Sequence, residues 1–249
     1  MPVEPEILSY IAAALVAGIF LFFMGFRWLR QKRLIENIPT SKVRSLAMGL
    51  VEVYGKAVPA KALRSELTGE ACVYYRYAIE ELRQTGKSAV WVTILSGKGQ
   101  ESFYLKDNTG SVLIIPQDAE VDIPPDLQFE SGWGRDPPES VKAFMKNHGK
   151  SYEGFLGINK KMRFTEWHIA PGDMLYVMGT ASGSPVKTSG RVGEKIVIMK
   201  GENEGIFYIS DRQEKDIIRS LAWKSALGLI GGGAMIVLGI LGVVMLANY

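Results

Sequence analysis

The sequence is poor in the residues that build zinc sites and disulfides. Its 249 residues include one cysteine, Cys72, and two histidines, His148 and His168. A single cysteine excludes an internal disulfide, and three Cys and His side chains are too few for a four-ligand Cys/His zinc site. These absences exclude RING fingers, zinc ribbons and disulfide scaffolds, and we expect no metal and no cofactor.

The middle of the chain also lacks a surplus of charge of one sign. Residues 34–215 contain 23 Lys plus Arg and 23 Asp plus Glu, so the net formal charge of +3 comes from residues beside the two ends. Binding to a nucleic-acid backbone requires a clustered basic face. We therefore expect no nucleic-acid partner.

Two long uncharged runs occupy the ends of the chain, at residues 7–26 and 225–247. At a rise of about 1.5 Å per residue, each run is long enough to cross a hydrocarbon layer of roughly 30 Å. Basic residues follow the first run, whereas in a cleaved signal peptide they precede it. We therefore predict two transmembrane helices.

Lysines and arginines beside the runs predict their orientation. These residues lie after the first run and before the second, and the opposite flanks contain no lysine or arginine. The flanking basic residues are Arg27, Arg30, Lys32, Arg33, Arg212, Lys215, Arg219 and Lys224. Such residues accumulate on the cytoplasmic side and attract anionic lipid headgroups. We predict a cell-membrane protein with both termini outside and a cytoplasmic middle domain.

Small residues recur at helical spacing within both runs. Gly228, Gly232 and Gly239 lie along one side of the second helix, and Gly18 belongs to a similar stripe in the first. Such stripes allow close packing of membrane helices. We predict packing within one chain, while a homo-oligomer and a mere abundance of glycine in membrane helices are the alternatives.

Between the runs, apolar residues alternate with polar ones more often than they recur at helical spacing. This pattern predicts strands at residues 49–58, 71–82, 88–96, 102–105, 111–116, 162–169, 174–181, 195–200 and 205–209. We expect a mainly β soluble domain, an OB-like barrel or a mixed β sheet with one short helix. Its predicted limits are 34–209, with an N-terminal transmembrane anchor at 1–33 and a stalk helix that continues into the C-terminal span at 210–249.

Capping residues predict where two helices begin. Asp136 as N-cap, with Glu139 three residues later, predicts a helix over residues 141–147 that ends at Gly149. Ser210 as N-cap predicts a second helix, which continues into the C-terminal span.

Residues 123–138 have the composition of a loop, with four prolines and two glycines. We predict that this segment is an exposed lip and that Phe129, Trp133 and Arg135 contact a partner. A protein partner is favoured over a lipid.

Cys72 and His168 are the remaining candidates for catalysis. Cys72 would act as a nucleophile if His168 lay beside it, since thiolate reactivity requires a nearby base or cation. The alternative is a buried thiol and a histidine bound to the backbone. Clustering in a cleft would favour an enzyme, whereas burial of Cys72 under Tyr75 and Tyr77 would favour a binding protein.

Two segments, IPTSKVRSLAMGLVEVYGKA at residues 38–57 and ELTGEACVYYRY at 66–77, resemble the prokaryotic branch of the GIDE family. The similarity continues at residues 103–116, 171–173 and 207–210. In the eukaryotic relatives, the mitochondrial ubiquitin ligases MULAN or MAPL, the corresponding domain lies between two transmembrane helices and a RING finger follows. The resemblance implies a membrane-flanked domain that binds partners.

This chain departs from the eukaryotic pattern, because it stops at Tyr249, where the RING would begin, and lacks the zinc ligands. We therefore predict a RING-less, E3 ubiquitin ligase-like protein that acts as a membrane-anchored binding or scaffold module. The alternatives are an enzyme or accessory factor acting on a membrane or peptide substrate, and an OB-type nucleic-acid binder. The family's domain lies in the intermembrane space, whereas the basic flanks here predict the cytoplasm.

Overall fold

The computed structural model describes residues 5–37, 40–154, 157–188, 191–202, 206–212 and 214–247. The chain divides into two compact units. One, the helix unit, consists of Met1–Pro39 and Arg212–Tyr249, and the other, the β unit, is Thr40–Asp211.

The helix unit contains the two apolar runs. Helix α1 spans Pro5–Asn37, and the C-terminal part comprises α3 (Glu214–Ala226), a π-helical turn (Leu227–Gly231) and α4 (Gly232–Ala247). Within these helices, Ser9–Asn37 and Lys215–Met245 are long and apolar enough to cross a membrane. This agrees with the prediction of two membrane helices.

The predicted cap of the C-terminal helix is wrong. Ser210 is the last residue of a strand, and its hydroxyl donates a hydrogen bond of 2.7 Å to the carbonyl oxygen of Asp122. Strand pairing therefore occupies Ser210, and the helix begins at Glu214.

The β unit contains fourteen described strands and one short α-helix, α2 (Glu139–Asn147). The strands are β1 (Thr40–Ser41), β2 (Gly49–Pro59), β3 (Leu63–Arg64), β4 (Ala71–Cys72), β5 (Tyr74–Thr85), β6 (Ser88–Gln100), β7 (Phe103–Lys106), β8 (Ser111–Ile114), β9 (Glu120–Asp122), β10 (Leu127–Ser131), β11 (Met162–Ile169), β12 (Met174–Thr188), β13 (Arg191–Met199) and β14 (Tyr208–Ser210).

Five strands close into a barrel. β2 pairs with β7, β7 with β8, β8 with β13, β13 with β12, and β12 returns to β2, where Lys56 is opposite Met174 and Gly49 opposite Ala181. Alternate residues of these strands point inward, because successive side chains of a strand face opposite sides. The interior includes Val51, Val53, Phe103, Leu105, Ile114, Leu175, Val177 and Ile198. The prediction of a mainly β domain with an OB-like barrel and one short helix is confirmed.

A second sheet, in the order β10-β11-β5-β6, is antiparallel throughout. Tyr75, Tyr77 and Ile79 alternate along β5, point to one face of the sheet and form a core with α2. This core contains Leu67, Cys72, Tyr75, Tyr77, Ile79, Val141, Phe144, Met145, Met162 and Phe164.

Two predictions for residues 123–138 need correction. Part of the segment is strand β10, because Leu127 and Phe129 alternate toward the second core and pair with β11. Asp136 does not cap α2, whose N-cap is Pro138. The Asp136 carboxylate accepts hydrogen bonds from Lys142 and Asn159 instead.

Candidate binding surface

Trp133 lies at the tip of a tight turn that follows β10. The backbones of Gly132 and Arg135 exchange two hydrogen bonds of 3.2 and 2.9 Å, which close the turn. Gly134 adopts a positive φ of 67°, a conformation that glycine tolerates readily. The Trp133 side chain projects from this closed turn and is 91% exposed.

The other two residues of the predicted lip support the turn. The guanidinium of Arg135 lies 4.9 Å from the ring centroid of Phe129. Phe129 is half-buried and packs against Phe164 of the second core, with ring centroids 6.4 Å apart. The structure therefore brings Phe129 and Arg135 together and leaves Trp133 facing solvent beside them.

Glu166 is a fully buried carboxylate that binds the segment after β3. Its oxygens accept hydrogen bonds from the backbone N–H of Leu67, at 2.8 Å, and from the hydroxyl of Thr68, at 2.5 Å. Two directed donors are the usual compensation for a buried carboxylate. Sequence reasoning missed this residue, although an acidic residue between apolar positions of a predicted strand was a visible signal.

Cys72 is buried in the second core with Tyr75 and Tyr77. Burial, and then the negative charge of Glu166, raise the pKa of the thiol from 9.0 to about 11. The thiol is therefore protonated at neutral pH, and nucleophilic chemistry needs the thiolate. A cavity of about 250 Å³ is lined by Cys72 with Lys61 and Arg64, but neither cation offsets the effect of burial.

His168 is held by its backbone and surrounded by carboxylates. Its N–H donates to Asp126 at 2.8 Å, and its ring Nδ1 lies 3.6 Å from Asp126 and 3.9 Å from Glu166. In the part of the chain that the structure describes, it forms no hydrogen bond with Cys72. The position of Cys72 in the core with Tyr75 and Tyr77 corresponds to the alternative of a buried thiol.

The described residues contain no group of three His, Cys, Asp or Glu side chains that could hold a metal ion.

His148 lies at the end of α2, where its Nδ1 is 3.0 Å from the carbonyl oxygen of Phe144. Its ring also stacks on that of Phe144, which is a structural role.

Glycines lie where the two long apolar helices touch. A Cβ on Gly25 would be 2.7 Å from the backbone N of Leu229, and one on Gly228 would be 2.7 Å from the Cα of Gly25. Gly18 faces Gly232 in the same way, and Gly239 faces Leu15. The helices are therefore antiparallel, and their backbones approach closely at these positions.

The comparison with known protein families matches residues 74–246 to GIDE, which is described as E3 ubiquitin ligase. No curated protein and no solved structure matches the chain. The matched residues cover most of the β unit and the C-terminal apolar helix. The chain belongs to the GIDE family and is a membrane-associated member of it by virtue of its two apolar helices.

Proposed function

We propose that this protein is a membrane-anchored protein-binding or scaffold module of the cell membrane. The β unit is cytoplasmic, and both termini are outside. A protein partner binds at the surface formed by Phe129, Trp133 and Arg135, which we call the Trp133 lip. The observation that carries this proposal is the exposure of Trp133 on a turn fixed by two backbone hydrogen bonds.

The chemistry of the lip suits a protein interface. Tryptophan and arginine are enriched among the residues that contribute most to binding between proteins. A large aromatic side chain on a fixed turn loses little conformational freedom when a partner covers it, so more of the burial energy contributes to affinity. Truncation of such a residue costs about 2 kcal/mol or more, roughly thirtyfold in the dissociation constant.

The exposed cations of the helix unit support the orientation. Gly25 contacts Gly228 in the antiparallel pair, so residues after Gly25 and residues before Gly228 share one end of it. That end carries exposed Arg27, Arg30, Arg33, Lys215, Arg219 and Lys224. Cytoplasmic flanks are rich in such residues.

The family's description, ubiquitin ligase, does not carry over directly to these 249 residues. They contain one Cys and two His, fewer than a single four-ligand Cys/His zinc site requires. The buried, protonated Cys72 gives no support to thiol catalysis. Of the functions that the family resemblance implies, partner binding is the one that the exposed Trp133 turn supports.

A crosslinking experiment tests the binding proposal. Membranes containing the wild-type protein are crosslinked and gently solubilised, and the proteins that co-purify are compared with those of Trp133→Ala. The matched control is Met48→Ala, which truncates another exposed apolar residue of the β unit, 61% exposed. We expect a partner that is lost with Trp133→Ala and kept with Met48→Ala. Identical partners for all three proteins would contradict the proposal.

Orientation is tested separately by labelling. In a Cys72→Ser background, Met48→Cys places one accessible thiol on the β unit. A membrane-impermeant maleimide should label it only after cells are permeabilised. Labelling in intact cells would place the β unit outside.

A further inference from the structure

Strand β6 forms one edge of the second sheet. It has 13 residues and pairs with β5 on one side, and no described strand pairs with its other side. The opposite edge, β10, has only 5 residues. A long free strand edge presents a row of unpaired N–H and C=O groups that another chain can bind.

Most of this edge lacks the features that usually prevent strand addition, and Lys98 and one bulge are the exceptions. Residues 88–97 contain neither a charged residue nor proline, although both are common on protected edges. One bulge is present, because Leu95 is opposite Ile79 and Thr93 is opposite Glu80, so Ile94 is the extra residue. Residues 95–100 beyond the bulge form a regular segment long enough to receive a short strand.

Two glycines of this regular segment lie against tyrosine rings of β5. A Cβ on Gly97 would lie 2.7 Å from the ring of Tyr77, and one on Gly99 would lie closer still to the ring of Tyr75. The tyrosine rings thus occupy the space over the glycines on the core face.

Hydrogen-bond directions identify which groups face outward. The N–H of Glu101 donates to the carbonyl oxygen of Val73, at 3.0 Å, and therefore points toward the β5 side. Donor direction alternates along an antiparallel strand. The N–H groups of Ser96, Lys98 and Gln100 consequently point to the free edge.

A pair of positive charges lies at the same place. Lys98 is directly opposite Arg76 in the β5–β6 register, an arrangement that destabilises a sheet when nothing neutralises it. Neither residue forms an ion pair with any residue that the structure describes. Arg76 stacks on Trp167, with 4.4 Å between the guanidinium carbon and the ring centroid, and its buried Nε has no acceptor among the described residues.

A second Arg and Trp pair on the same sheet provides an internal comparison. Arg163 stacks on Trp91 at 4.1 Å, and it is neutralised by Glu130 at 3.0 Å and Glu80 at 3.5 Å. Arg163 thus has two carboxylates beside it, whereas Arg76 forms no ion pair with a described residue.

We propose that the edge of β6 at residues 95–100 binds an extended segment of a partner protein as an additional strand. An acidic side chain of that segment lies opposite Lys98, in the positive field of Lys98 and Arg76. Main-chain hydrogen bonds provide affinity in this mode of recognition, and the side-chain contact provides specificity. A second copy of β6 does not meet the requirement, because residues 88–100 contain no Asp or Glu. This surface is distinct from the Trp133 lip.

The test uses the full-length protein in detergent micelles and labelled peptides. The probe is an eight-residue peptide of alternating threonine and valine with one central glutamate, and matched peptides carry glutamine or lysine there. Fluorescence anisotropy should show binding of the glutamate peptide, at least tenfold weaker binding of the glutamine peptide, and an affinity that falls with salt. Absence of binding by the glutamate peptide, or equal affinity for all three, would overturn the proposal.

Three variants locate the site. Ser96→Pro removes an outward N–H without removing a bond to β5 and should abolish binding. Lys98→Glu should reverse the preference, so that the lysine peptide binds better than the glutamate peptide. This second variant keeps the proposal testable if Ser96→Pro does not fold. Lys87→Gln removes the same charge from the turn of the same hairpin and should change nothing.

Two further results would overturn the proposal. Wild-type affinity in Lys98→Glu would overturn the charge assignment. A wild-type dimer that Ser96→Pro dissociates would assign the edge to a second copy instead of a partner. Trp133→Ala should bind the peptides normally, so a failed peptide experiment remains distinguishable from failure of the lip proposal.

Discussion

The backbone N–H of Leu67 donates a 2.8 Å hydrogen bond to the carboxylate of Glu166, although the two residues are 99 positions apart. Thr68 adds a second bond to the same carboxylate. The segment that connects β3 and β4 is thereby joined to β11, and its Leu67 belongs to the core that contains Cys72. This buried side chain is one of the contacts that hold the connection, together with the hydrogen bond from the Tyr75 hydroxyl to Glu66.

Glu166→Ala should strongly destabilise the β unit. The substitution leaves the Leu67 N–H and the Thr68 hydroxyl without their acceptor and opens a space in a fully buried region. We expect a loss of about 2–4 kcal/mol in the free energy of unfolding, measured with urea and tryptophan fluorescence in detergent. Glu70→Gln, an exposed change in the same connection, should alter stability by less than about 0.5 kcal/mol. Equal effects of the two variants would refute this role for Glu166.

Asp107 should make stability depend on pH in acid. Burial raises the pKa of its carboxyl, but hydrogen bonds from Thr109, Val43 and Gly110 outweigh this and lower it from 3.8 to about 2. Because the pKa is lower in the folded protein, the stabilisation is present above about pH 4 and is lost as the pH falls toward 2.

Asp107→Asn should therefore be less stable than wild type at pH 6, with a difference that shrinks between pH 4 and pH 2. Urea unfolding at a series of pH values measures this. A stability difference that stays constant over that range would show that the Asp107 charge contributes nothing.

Cys72 should react slowly with iodoacetamide in the folded protein. Burial restricts access, and the raised pKa of about 11 leaves little thiolate at pH 7.5. Alkylation should be at least a hundredfold faster after unfolding in urea. Rapid modification of Cys72 in the folded protein would contradict this expectation and support the enzyme alternative.

Gly228→Ile should separate the two membrane helices. A side chain at this position would meet the backbone of Gly25, whereas Gly231 has open space beside it. The readout is a disulfide between Ile11→Cys and Gly242→Cys, which face each other, in a Cys72→Ser background in native membranes. We expect Gly228→Ile to lower the disulfide yield severalfold.

Gly231→Ile is the matched control, with the same added volume on the same π-helical turn. Its disulfide yield should equal that of the parent. Similar losses in both variants would mean that the substitution acts through the helix itself and not through the contact.

Local sequence patterns predicted the elements that local forces determine. β11 begins at Met162 and ends at Ile169, as its alternation predicts, and the two apolar runs form helices that are long enough to span a membrane. β10 was missed because the prolines and glycines around it masked the alternation of Leu127 and Phe129.

Longer-range relationships could not be read from the sequence. Closure of the barrel requires pairing of Gly49 with Ala181, which no local pattern specifies. The opposition of Arg76 and Lys98 depends on the hairpin register and its bulge. Trp133 was selected as an exposed residue from composition, whereas the turn that presents it needs the pairing of Gly132 and Arg135.

The most direct test of the central claim is site-specific photocrosslinking in intact cells. A photoreactive amino acid replaces Trp133 in one protein and Met48 in another, both exposed positions of the β unit. We expect a dominant protein adduct from position 133 that is absent from position 48. No adduct at position 133, or the same adducts at both positions, would contradict it.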